Sequence, residues 1–149
     1  MHRLVALLVF LLAQLMVAGS PAHAQDVPVT LVVEELRSDQ GQVLVNLYLS
    51  EDAFLNSRLA LWQKAVPVPP GASQVELELE LPLVEFALGV LHDEDGDGEM
   101  DTNFIGMPKE GMGASNNPTS RFGPPKWEDA LVDSVQPGDT LRIQANYLF

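Results

Sequence analysis

Residues 74–81 alternate strictly between polar and apolar side chains, and this pattern constrains the fold more than any other feature of the sequence. Successive side chains of a β-strand point to opposite faces, so a period of two predicts a strand with one buried and one solvated face. The segment therefore favours a sheet that packs on one side against a core. The apolar positions are Val75, Leu77, Leu79 and Leu81, and the acidic ones are Glu76, Glu78 and Glu80.

Further apolar runs predict that the rest of the chain is also made of short strands. The turn at residues 38–41 ends in Gly41, which can take a positive φ, and it predicts a hairpin between the first two strands. Six or seven strands without a convincing long helix predict an all-β, antiparallel β-sandwich of the immunoglobulin-like or transthyretin-like type, with one long irregular loop over residues 93–126. The other predicted strands cover residues 27–36, 42–49, 84–91, 127–135 and 140–149, and residues 59–66 fit either a strand or a short helix.

Residues 1–24 have the pattern of a secretory signal peptide. Arg3 is followed by an apolar run over residues 4–17, which is shorter than the roughly 20 residues that span a bilayer. Ala22, His23 and Ala24 then form a cleavage site of the A-x-A type. We expect export to the periplasm or the extracellular space, and a single mature domain over residues 25–149 that is not inserted in the membrane. The alternative is an uncleaved anchor helix.

The charge of the chain restricts its partners. It has 8 basic and 21 acidic residues, so loss of Arg3 with the signal leaves 7 basic residues and a net charge of −14. Such a charge repels nucleic acid phosphates and anionic membrane surfaces, and it favours cations or cationic partners. The chain has no cysteine, so neither a disulfide nor a lipid-anchored precursor is expected.

The most specific chemical pattern is an acidic loop over residues 93–101. Asp93, Asp95 and Asp97 occupy positions 1, 3 and 5 of a D-x-D-x-D-G loop, and a glycine follows at position 6. Glu99 at position 7 would contribute its backbone carbonyl, and Asp101 lies at position 9. Calcium takes six to eight hard oxygen ligands, and alternate residues of a tight loop can aim them at one centre. We therefore expect these five residues to bind Ca²⁺.

The loop departs from an EF-hand, and other interpretations stay open. Position 12 is Phe104 rather than a bidentate glutamate, so a further ligand would have to come from Glu110, Asp129 or a water molecule. The alternative to a metal site is a solvated acidic turn, because Asp-Gly pairs favour turns. Zinc is disfavoured, since His92 is the only histidine after the signal and cysteine is absent.

Several blocks along the chain form one recognisable pattern: HDEDGDG (92–98), DTNFIGMPKEG (101–111), GASNN (113–117) and FGPPKWEDA (122–130), together with residues 41–45 and 50–54. These blocks resemble a secreted bacterial family, the domain of unknown function 2141 (DUF2141). The resemblance implies an exported β-sandwich without an established activity. The chain departs from the family in having aspartate at positions 95 and 97, where asparagine is common, and in lacking the Pro-Gly-Thr-Tyr corner at residues 82–86.

Residues 102–126 exceed the usual length of a loop inside a compact domain. We expect this segment to fold over one end of the sandwich and to bury its apolar side chains. It is either a structural cap or a ligand-binding surface. The apolar side chains belong to Phe104, Ile105, Met107, Met112 and Phe122, with Trp127 just beyond, and the candidate ligand-binding residues are Lys109, Asn116, Asn117 and Arg121.

Three functions are weighed against each other. The first is an exported, non-catalytic module, stabilised by calcium, that acts in binding or structure in the cell envelope with an unknown protein or glycan partner. The second is a hydrolytic enzyme that uses His92 with Asp93 and Ser115. The third is a small outer-membrane β-barrel that ends at Phe149. Such barrels carry girdles of aromatic residues, and two tryptophans and two tyrosines are too few to form them.

Overall fold

The computed structural model describes residues 26–119 and 123–148, which form seven strands, two 3₁₀ turns and one helical turn. The predicted signal peptide (1–24), Arg121, Phe122 and Phe149 lie outside the described residues. Within the described ranges there is no helix with the length and apolar content that crossing a membrane requires. The elements are β1 (Val27–Glu34), β2 (Gln42–Tyr48), the 3₁₀ turns Glu51–Ala53 and Ser57–Leu59, β3 (Trp62–Pro67), β4 (Val75–Leu81), β5 (Ala87–Asp93), β6 (Gly111–Ala114), α1 (Trp127–Ala130) and β7 (Thr140–Gln144).

The strands form two sheets that pack face to face. One sheet has the order β3-β2-β5-β6 and is antiparallel throughout, whereas the other has the order β4-β1-β7. In the second sheet β1 pairs antiparallel with β4 and parallel with β7. The predicted all-β sandwich of six or seven strands is confirmed with seven, and the β1–β7 pair is the one departure from an antiparallel arrangement among the described strands.

The alternation in β4 has the predicted outcome. Val75, Leu79 and Leu81 are buried in the core between the sheets, and Leu77 packs against it. The three glutamates of β4 face the solvent. β5 is a central strand of its sheet, as the apolar run over residues 84–91 predicts, and it is buried at every position. Its burial extends to His92 and Asp93, beyond the predicted end of the strand.

The predicted hairpin between the first two strands is wrong, because β1 and β2 belong to different sheets. Alternate residues of both strands still face the shared core, so a chain that crosses between sheets has the same period of two as a hairpin. Gly41 closes the crossing with φ +67°, and a Cβ at this position would lie 2.0 Å from the carbonyl oxygen of Asp93. The glycine is therefore required by close approach to the end of β5.

The predicted strand over residues 127–135 is also wrong at its start. Residues Trp127–Ala130 form one helical turn, which places the Trp127 ring edge-on to Phe54 at 5.6 Å between centroids. Ala130 is buried with Ala87 and Ala114. Extended pairing is limited to a bridge between Phe86 and Val132. The packing of small residues thus overrides the strand preference of this segment.

The long loop is less irregular than predicted and less buried. It contains the short strand β6, which pairs with β5. Phe104, Ile105 and Met107 are exposed rather than buried, so the expectation that they pack over the sandwich is wrong. Backbone hydrogen bonds within residues 101–109 close this segment on itself, outside the core.

Candidate metal centre

Asp93 is the last residue of β5, and its side chain is buried at one end of the sandwich. The side-chain amide of Gln42, at the start of β2, donates a hydrogen bond of 2.7 Å to Oδ2 of Asp93. The backbone amides of Gly96 and Gly98 donate to Oδ1 and Oδ2 at 2.9 and 3.0 Å. Burial raises the pKa of Asp93, but these hydrogen bonds outweigh that effect and hold the pKa below its ordinary value.

The loop after Asp93 curls because Gly96 and Gly98 have φ values of +76° and +84°. The exposed carboxylates of Asp95 and Asp97 accept hydrogen bonds from amides two residues ahead. One carboxylate oxygen from each of Asp93, Asp95 and Asp97 lies within 4.8 Å of the others. Two oxygens bound to one Ca²⁺ at 2.3–2.6 Å can be at most about 5 Å apart, so the spacing suits a shared cation.

The side chains of Glu99 and Asp101 do not join the three converging carboxylates. The backbone of Asp101 is fixed instead, because its amide donates to Oε2 of Glu110 and its carbonyl accepts from the amide of Lys109. The predicted use of the Glu99 backbone carbonyl as a ligand stays a prediction.

Glu110 closes the acidic loop from the other side. Its carboxylate is buried and accepts from the amides of Glu94 (2.9 Å) and Asp101 (3.0 Å), which lie on either side of the loop. Burial raises the pKa of Glu110, the two amides oppose this rise, and the carboxylates of Asp93 and Asp95 add to it. Ionisation of Glu110 is therefore less favourable than that of a free glutamate.

Arg37 supports the same end of the sandwich. Its guanidinium forms a salt bridge of 2.5 Å with Glu94 and also donates to the carbonyl of Lys109 at 3.0 Å. The guanidinium lies 4.5 Å from the centre of the Tyr147 ring. The hydrogen bond from Arg37 lowers the pKa of Glu94, so Glu94 is kept anionic as the partner of this arginine.

His92 lies in the core and is 1% exposed. Its Nε2 is 2.9 Å from the carbonyl oxygen of Gln40, which can only accept, so Nε2 donates. Its Nδ1 forms a hydrogen bond of 2.6 Å with the Tyr147 hydroxyl. Ser115 pairs with the backbone at Leu88 and Ala130. Ser115 lies beside Leu88 near the start of β5. Leu88 is four residues from His92, or roughly 13 Å along a strand. The structure thus does not bring His92 and Ser115 together.

The proposed ligand-binding residues are also separated. Lys109 precedes β6, whereas Asn116 and Asn117 follow it with φ values of +63° and +49°. Asn116 donates to the carbonyl of Leu131. Asn117 donates to the Arg142 carbonyl and accepts from the Gln144 amide, so these asparagines tie the loop to the C-terminal segment. Arg121 lies outside the described residues.

Sequence reasoning missed three supports of the site: Gln42, Arg37 and Tyr147. They contact Asp93, Glu94 and His92 across 51, 57 and 55 residues. No local pattern marks such pairs. The one available signal was the position of Gln42 at the start of a strand, and it does not reveal that strand's partner.

The comparisons with curated proteins and with solved structures found no match. The sequence model of a family described as uncharacterized proteins conserved in bacteria (DUF2141) matches residues 31–141. The match runs from within β1 to within β7 and includes the acidic loop and Glu110. The chain therefore belongs to the DUF2141 family.

Proposed function

We propose that this protein is an exported, non-catalytic module of the cell envelope that acts in binding or structure and whose acidic loop binds calcium. The observation that carries the calcium proposal is the convergence of Asp93, Asp95 and Asp97, with one oxygen from each within 4.8 Å of the others. Export is proposed from the signal pattern in residues 1–24.

The donor set suits a hard cation. All the converging atoms are carboxylate oxygens, which calcium and magnesium prefer over softer metals. Oδ1 of Asp93 accepts one hydrogen bond, from Gly96, and a carboxylate oxygen has capacity for a further contact. The backbone carbonyl of Glu99 and water molecules are the proposed sources of the remaining ligands.

Electrostatics favour the same proposal. Three anionic groups that converge at this distance repel one another, and Glu110 lies beside them with a raised pKa. A divalent cation would offset this repulsion and lower the cost of ionising Glu110. The hydrogen bonds that Asp93 accepts from the amides of Gly96 and Gly98 already shape the loop, so little reorganisation would accompany calcium binding.

A hydrolase that uses His92 is less well supported. Both ring nitrogens of His92 have partners within the fold, and the side chain is buried. Such a histidine orients the Tyr147 hydroxyl and the Gln40 carbonyl rather than a substrate.

Calcium titration of residues 25–149 by calorimetry, followed by melting, tests the proposal. Affinities of extracellular calcium modules lie at about 10⁻⁴ M. With about 1 mM calcium, the free energy of unfolding then rises by about 1.4 kcal/mol, which is several degrees of melting temperature. Equal melting curves in EDTA and in excess calcium would contradict calcium binding.

Asp97→Asn separates metal binding from folding, because Asp97 is exposed and asparagine keeps Oδ1 as the acceptor for the Glu99 amide. We expect the variant to melt like the parent in EDTA and to bind calcium roughly tenfold more weakly, since one anionic ligand is lost. Glu80→Gln, on the exposed face of β4, removes the same charge away from the loop and is the matched control.

A further inference from the structure

Residues 101–109, called the finger below, project from the acidic loop as a closed hairpin. At its base the Lys109 amide donates to the Asp101 carbonyl at 2.9 Å, and Thr102 forms a bridge with Pro108. The Asn103 amide donates to the Met107 carbonyl at 2.8 Å. The backbone of the finger is therefore fixed by its own hydrogen bonds.

The tip of the finger is fixed as well. The side-chain oxygen of Asn103 accepts from the amides of Ile105 and Met107, both at 3.0 Å. Gly106 takes φ +80° and donates to the Asn103 carbonyl. These bonds hold three apolar side chains outward: Phe104 is 99% exposed, Ile105 67% and Met107 38%. Apolar side chains exposed next to one another in a fixed turn are typical of a contact surface.

We propose that the finger is a docking element that inserts Phe104 and Ile105 into an apolar pocket, rimmed by basic residues, on a partner protein. The proposal rests on the proposed binding role of the module but not on bound calcium. A turn that is ordered before binding loses little conformational entropy on association, and a large aromatic side chain supplies the contact area of an interface anchor.

The charge around the finger favours a protein with a basic rim over a second copy of this chain and over an anionic lipid surface. The exposed carboxylates of Asp95, Asp97 and Glu99 precede the finger, and the one basic residue within it is Lys109. A second copy of the chain would bring two acidic rims together, and an anionic lipid surface would be repelled. One divalent cation in the acidic loop would reduce this negative charge without reversing it.

Site-specific photocrosslinking in the producing bacterium tests the proposal with the full chain. A Phe104→benzoylphenylalanine variant is compared with a Leu83→benzoylphenylalanine variant, because Leu83 is also exposed (51%) but precedes β5 at the opposite end of that strand. We expect one discrete protein adduct at position 104, identified by mass spectrometry, that is absent at position 83.

The sign of the charge effect identifies the rim of the pocket. Lys109→Glu, placed in the Phe104→benzoylphenylalanine chain, makes the finger more acidic and leaves its backbone bonds in place, so the adduct yield should rise. With the purified partner, Phe104→Ser in the otherwise natural chain should weaken binding about 10- to 100-fold and leave the melting temperature unchanged.

An adduct with lipid, an adduct with a second copy, or no adduct above that at position 83 would each overturn the proposal. A lower yield with Lys109→Glu would overturn the basic rim. Calcium titration of the same chains distinguishes the two proposals: adduct formation without calcium binding leaves the docking element standing, and calcium binding without an adduct leaves only the metal site.

Discussion

Two segments of this chain carry acidic residues at every second position, yet their side chains have opposite arrangements. Glu76, Glu78 and Glu80 lie on β4 and point into solvent. Asp93, Asp95 and Asp97 have the same spacing, but their carboxylate oxygens converge to within 4.8 Å. On an extended strand, residues two apart are separated by about 6.8 Å and their side chains run side by side.

The backbone explains the difference. β4 is held extended by its antiparallel pairing with β1, and the amides that face β1 belong to that ladder. After Asp93 the chain leaves the ladder, and glycines at positions 96 and 98 let it curl so that its amides donate to carboxylates instead. An alternating acidic pattern therefore produces convergent carboxylates where the backbone is free to curl, and a solvated face where the backbone is paired.

Asp93→Asn against Glu78→Gln is the comparison with the largest expected effect. Asp93 accepts three hydrogen bonds in a buried position, and asparagine would turn an amide group toward at least one of these donors. We expect the free energy of unfolding in EDTA to fall by about 2–3 kcal/mol. Glu78 accepts a hydrogen bond from the Thr30 hydroxyl at the surface. Glu78→Gln should therefore change the free energy of unfolding by less than about 0.5 kcal/mol.

Denaturant unfolding of both variants measures the contrast. Comparable losses of stability in the two variants would mean that the Asp93 side chain contributes no more to the free energy of unfolding than the exposed glutamates of β4 do. In that case the curled loop would not be the stable conformation of the chain.

A smaller effect is expected from pH, because protonation leaves the backbone partners of each carboxylate in place. The pKa of Glu110 is raised, so without calcium its ionisation costs stability as the pH rises above 4.5, the ordinary value, through the raised pKa. The pKa of Asp93 is lowered, so its contribution is present above pH 3.8 and is lost as the pH falls below that value.

Melting of the parent and of Glu110→Gln in EDTA isolates the first group. The difference in melting temperature between the parent and Glu110→Gln should shrink as the pH rises above 4.5, because the parent becomes less stable. Excess calcium should restore part of this difference. A difference between the two chains that does not vary with pH in EDTA would show that Glu110 is not perturbed by its acidic neighbours.

The parts of the fold that depend on local periodicity were predictable. The inward faces of β1, β2 and β4 and the burial of β5 follow from the order of apolar residues. Strand pairing was not predictable, because a crossing between sheets and a hairpin impose the same alternation. The turn at Gly41 is a crossing, and its glycine is explained by Asp93, which lies far away in the sequence.

The candidate site also has a part that local sequence predicts and a part that it does not. The spacing of Asp93, Asp95 and Asp97, with a glycine after each of the last two, was enough to predict that their oxygens converge. The supports contributed by Gln42 and Arg37 depend on strand order, which no local pattern encodes. The exposure of Phe104 was missed because hydrophobicity alone does not show that residues 101–109 form a hairpin closed by its own hydrogen bonds.

The smallest expected effect separates local geometry from overall charge. Replacing Glu76, Glu78 and Glu80 together by glutamine removes three negative charges, more than Asp97→Asn removes. β4 lies in the sheet opposite β5, and its glutamates point away from the core. Fields from exposed charges fade over about 8 Å at physiological salt. Calorimetric titration at 0.15 M salt, a concentration at which this screening applies, should therefore give a calcium Kd within about twofold of the parent. If the triple variant bound calcium as weakly as Asp97→Asn, the general acidity of the chain would account for its affinity, and convergence of the three aspartates would not be what distinguishes the loop from β4.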